Sequence, residues 1–117
     1  MKTLLLVATC CACATLSGAQ AENKVGLGKD VLPMCKKALI DPSASWEPGI
    51  CLGSIKTLVD LGRNALEPAY RFCIPPQAPL ASAMGVVVTY LDARPERLNE
   101  SFASLAIDAM RAAWPCK

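Results

Sequence analysis

Hydrophobic residues recur every three to four positions in four stretches of this chain, and proline separates the stretches. In residues 28–40, Val31, Met34, Cys35, Ala38 and Leu39 fall on one stripe, the spacing of an amphipathic helix. Asp41-Pro42-Ser43 ends it. The second stretch, 48–66, opens on Pro48, which suits a first helical position, and presents Cys51, Ile55, Leu58, Val59, Gly62 and Leu66. Glu67-Pro68 stops it, and Ala69 to Pro76 reads as a loop because Pro75 and Pro76 forbid a regular helix. In the third stretch, 79–93, Leu80, Met84, Val87, Val88 and Leu91 share a helical face, yet Gly85 to Leu91 also has strand propensity. No second β-branched run exists to pair with it, and a lone strand would leave its backbone groups unsatisfied, so a helix is expected. Arg94-Pro95 breaks the chain, and the last helix is expected over 98–114, with Leu98, Phe102, Leu105, Ala109 and Met110 inward. The pattern predicts a small all-α domain, a four-helix bundle.

The N-terminal segment follows a different rule. Met1-Lys2 gives a positive start, the run from Leu4 to Ala14 is almost wholly apolar, and Ala19-Gln20-Ala21 places small residues where a signal peptidase cuts. Residues 1–21 are therefore expected to be a cleavable signal peptide, and 22–117 the exported domain. The apolar run is well short of the roughly 20 residues that span a bilayer, so no stable membrane anchor is expected. Cys10-Cys11-Ala12-Cys13 holds a formal C-x-x-C, but it lies in the segment to be removed. Thr9 before Cys10 is bulkier than the residue a lipidation site prefers.

Composition narrows the chemistry. The 117 residues include no His, which excludes Ser-His-Asp and Cys-His catalysis and His-ligated zinc. A formal charge of +2 is too small for an electrostatic footprint on nucleic acid or anionic lipid. No cofactor or metal is expected, and nothing in the chain marks an enzyme. The carboxylates Asp92, Glu96, Glu100 and Asp108 lie among Arg94, Arg97 and Arg111, and read as a solvated face with surface ion pairs.

Four cysteines remain after the leader: Cys35, Cys51, Cys73 and Cys116. An even number in an exported chain argues for two disulfides, useful to a domain with little core. Cys35 and Cys51 sit on consecutive helices joined by a short turn, and Cys73 with Cys116 would tie down a terminus. That pairing is favoured; Cys35 with Cys116 and Cys51 with Cys73 is the rival. Gly49, Gly53 and Gly62 on the second helix suggest close helix–helix approach. Trp46, Tyr70 and Arg71 sit in loops and are of the types enriched in interface hot spots, which makes them candidate partner-binding residues. The competing expectation is that Trp46 and Tyr70 cover the ends of the core.

Several motifs in order resemble those of the Rap/Tai family of type VI secretion amidase immunity proteins. Gly49-Ile50-Cys51-Leu52-Gly53 is similar to the family's Gly-x-Cys-x-Gly helix start, and Phe72-Cys73-Ile74-Pro75 to its Cys-Ile-Pro loop. Tyr90-Leu91 with Pro95-Glu96-Arg97-Leu98 resembles its Tyr-Leu…Pro-Glu-x-Leu junction, and Trp114-Pro115-Cys116 its closing aromatic-Pro-Cys. Trp114 stands where Phe is commoner. The resemblance implies a small helical periplasmic protein that binds and blocks a peptidoglycan amidase effector by occluding its active site, and that forms a homodimer. The alternative is a general periplasmic helper, an acid-stress chaperone or small structural protein, with no dedicated toxin partner.

Overall fold

Proline punctuates the folded chain much as the pattern predicts. The computed structural model describes residues 26–64 and 67–117, so the leader and Leu66 lie outside the described part. Helix α1 spans Gly28–Ile40, α2 Trp46–Asn64, α3 Leu80–Asp92 and α4 Phe102–Ala113, with 3-10 turns at Pro68–Tyr70 and Pro95–Arg97. The all-α expectation holds, including the ambiguous third stretch. Ala83, Met84, Val87, Val88 and Leu91 are all buried along α3, a helical repeat that overrides the local strand propensity.

α1 and α2 form one hairpin and α3 and α4 a second, and every helix touches the other three. The core between them is entirely apolar among the described residues, with Val31, Ile55, Val87, Leu91, Leu105 and Met110 at its centre. One of its largest members comes from no helix. Phe72, expected in a loop, is 1% exposed. Its ring lies over Gly62, where a Cβ would stand only 2.2 Å from Phe72 Cζ. The loop behind it is held by backbone bonds: Cys73 N–H donates to Trp114 O at 2.8 Å, and Arg63 Nη2 donates to Pro75 O at 3.2 Å.

Three expectations need correction. α4 begins at Phe102, not near Leu98. The carbonyls that a longer α4 would use internally are engaged elsewhere, Leu98 O by Lys29 N–H at 2.8 Å and Glu100 O by Gly28 N–H at 3.0 Å. Leu98 therefore sits in a turn, still packed against the core. Leu39, placed on the inner stripe of α1, is 43% exposed in the last turn of that helix, where Ala38 beside it is the residue that is buried. Finally, none of the three α2 glycines marks a close helix–helix approach: Gly62 is crowded by the ring of Phe72, which belongs to the loop. A Cβ at Gly49 or Gly53 would meet nothing within 4 Å.

These glycines separate in a simple experiment. Gly62→Ala must displace a buried ring and is expected to destabilise by about 1–3 kcal/mol in urea unfolding. Gly53→Ala adds helix propensity into open space and is expected to stabilise by about 0.5–1 kcal/mol. Equal effects at the two positions would contradict the packing described.

Candidate functional site

The four cysteines come together in two pairs. Cys35 on α1 and Cys51 on α2 have sulfurs 2.01 Å apart and are wholly buried between the helices. Cys73 and Cys116 have sulfurs 2.00 Å apart, joining the proline loop to the segment after α4, on the exposed side of the molecule. The first pair spans 16 residues and the second 43. By the loop-entropy argument they contribute about 3 and about 4 kcal/mol.

The partner-binding candidates do not form one cluster. Trp46 is the first residue of α2, whereas Tyr70 and Arg71 follow its far end. A helix of 19 residues, about 28 Å long, lies between them. Neither aromatic residue caps the core, since Trp46 is 71% exposed and Tyr70 56%. Ile40, which no pattern singled out, is 86% exposed. The available signal was a bulky β-branched residue lying off the stripe of α1. Ile40, Leu39 and Trp46 thus gather at the α1–α2 turn.

Along α2, where it faces the starts of α1 and α4, a groove of about 600 Å³ is lined by Val31, Gly49, Gly53, Thr57 and Phe102 among others. The missing side chains of Gly49 and Gly53 open it. A smaller groove, about 480 Å³, runs between α3 and α4 beside Gly85, Tyr90 and Arg94.

Several of the charged residues are engaged with one another. Arg97 is a hub: Nη1 donates to Tyr90 Oη at 2.8 Å, Nε and Nη2 fork onto Glu100, and Nη2 also reaches Asp108 Oδ2 at 2.9 Å. Arg94 lies 3.6 Å over the Tyr90 ring, a cation–π contact. Lys36 pairs with Asp92 at 2.6 Å, and Lys37 with Glu47 across the α1–α2 turn. The hydrogen bond from Arg97 holds the Glu100 carboxyl below the ordinary glutamate range, and that from the Ser43 hydroxyl, joined by Ser43 N–H, does the same for Asp41. Asp92, Glu100 and Asp108 are each bound to a cation, Asp92 by Lys36 and the other two by Arg97, whereas Glu96 and Arg111 take part in no ion pair among the described residues, so the expected ion-paired face forms only in part. No group of His, Cys, Asp and Glu that could hold a metal occurs among the described residues. None of the described helices is long and apolar enough to cross a membrane.

A family model described as Rap1a immunity proteins matches residues 27–116. Neither the curated proteins nor the solved structures yield a match.

Two measurements follow from the geometry. Proteolytic mapping without reductant is expected to recover peptides joining Cys35 to Cys51 and Cys73 to Cys116. A Cys35–Cys116 peptide would establish the rival pairing. The Glu100 interaction stabilises fully above the ordinary glutamate pKa and is lost as pH falls through the lower folded value. The melting temperature should therefore fall less steeply on acidification in Arg97→Met than in the parent. An identical slope would place the acid sensitivity on other carboxylates.

Proposed function

Because the chain belongs to the Rap1a immunity protein family, we propose that it protects a periplasm by binding an injected type VI secretion peptidoglycan amidase and occluding the amidase's active site. The match over residues 27–116 carries this reading, since it supports an effector-immunity role across nearly the whole exported domain. Occlusion requires no chemistry from the inhibitor, which suits a chain without His. Cysteine pairs at bonding distance suit an oxidising compartment. The leader-like residues 1–21 supply a route to it. Trp46, Tyr70 and Arg71 remain candidates for the contact surface, although their separation along α2 argues for at most one end of that helix at the centre of an interface.

The tagged, oxidised domain, residues 22–117, is expected to capture a single stoichiometric cell-wall amidase from lysates of the native bacterium and its competitors. Adding the domain to that amidase should stop peptidoglycan cleavage at a one-to-one ratio. A broad set of weakly held periplasmic proteins would instead favour the general helper.

A further inference from the structure

We propose that the Cys73–Cys116 pair is a site of thiol–disulfide exchange: a dithiol opens this bond while Cys35–Cys51 stays closed, and the opening frees residues 114–117 without unfolding the helices. This exchange needs no effector and goes beyond the immunity reading.

The two pairs differ in what a thiol can reach. Cys35 and Cys51 are each 0% exposed, whereas Cys73 and Cys116 are both exposed. Exchange requires a thiolate to approach a disulfide sulfur, so access decides which bond reacts. A reagent meets the Cys73–Cys116 pair at the surface of the folded domain. The other pair belongs to the same core as Val31 and Ile55, and a reagent must wait for the α1–α2 hairpin to open before it can attack there.

The step is a two-electron reduction of the protein by the dithiol. One thiolate of the reagent attacks a sulfur of the pair, forms a mixed disulfide and expels the other protein sulfur as a thiolate, which takes up a proton. The reagent's second thiol then displaces the protein, loses its own proton and closes the reagent into a disulfide. Cys73 and Cys116 are left as two thiols.

What the opening releases follows from what else holds each side of the bond. Cys73 lies between Phe72 and Ile74, which are 1% and 6% exposed, so core burial seats the loop on its own. Arg63 Nη2 adds its bond to Pro75 O at 3.2 Å. The other side has much less. Trp114 is half-buried against the core, its N–H donates to Met110 O at 2.8 Å, and its carbonyl accepts from Cys73 N–H at 2.8 Å. Among the described residues no other backbone hydrogen bond reaches 114–117, and Pro115, Cys116 and Lys117 are all exposed. The helices keep their apolar core and the buried pair whether the clasp is shut or open. Reduction therefore acts on one end of the chain.

The test treats the oxidised protein with dithiothreitol under native conditions, quenches samples with iodoacetamide, and maps the labelled peptides. Cys73 and Cys116 are expected to be alkylated while the Cys35–Cys51 peptide survives, with rates at least roughly 100-fold apart. In the isolated half-reduced, alkylated protein the helical circular dichroism should persist. The Cys73 amide should exchange its hydrogen roughly 100-fold faster than in the oxidised protein, and the amides of α2 and α3 should not change. A double variant, Cys73→Ser with Cys116→Ser, should reproduce that exchange pattern without the added alkyl groups. Equal rates for the two pairs, or faster loss of Cys35–Cys51, would overturn the site. An unaltered Cys73 amide, or helix lost in either the alkylated protein or the double variant, would overturn the local opening.

Discussion

The first backbone N–H groups of α1 have no partners within their own helix, and what satisfies them organises the molecule. No side chain caps this end. Instead Gly28 and Lys29 donate to Glu100 O and Leu98 O, so the start of the first helix is closed by the approach to the last. The contact demands backbone proximity, and Gly28 permits it, since a Cβ there would fall 2.6 Å from Leu105 Cδ1 and 3.3 Å from Leu98 O. It also compels the chain to stay out of helix through Ser101. The Pro95–Arg97 turn then carries Arg97 to where it can hold Glu100, Asp108 and Tyr90 together. One unsatisfied helix end thus accounts for the late start of α4 and for the ionic cluster beside it.

The proline loop is closed onto the fold by different means. There Phe72 presses on Gly62, and the strap of chain carrying it is tied through Cys73 to the segment after α4. With no buried polar residue among those described, apolar burial and the two cysteine pairs carry the stability. A core this small gains comparatively much from such ties.

Helix placement was largely legible because the apolar residues keep a helical period and proline interrupts it between stretches. The third helix was recoverable despite its valines, since a strand there would have lacked a mate. What the pattern could not show were contacts between segments far apart in sequence. The start of α4 depends on carbonyls claimed by α1, some seventy residues earlier. Phe72 looked like a loop residue because its burial depends on a glycine of another element. The roles of Gly49 and Gly53 were misjudged for the same reason: a helical glycine signals missing volume, and only the neighbours decide whether that volume is occupied. At the candidate site, Trp46 could be singled out by residue type, but its grouping with Leu39 and Ile40 depends on where α1 stops. Its distance from Tyr70 and Arg71 depends on α2 remaining one unbroken helix between them.

The two cysteine pairs differ in when they can exist. A chain that emerges N-terminus first presents Cys35 and Cys51 within one hairpin, so that half can close while later residues are still arriving. Cys73 must wait for a partner 43 residues further on, after both remaining helices have appeared. The α1–α2 turn is therefore shaped early, and the clasp at Cys116 registers that the whole domain has arrived.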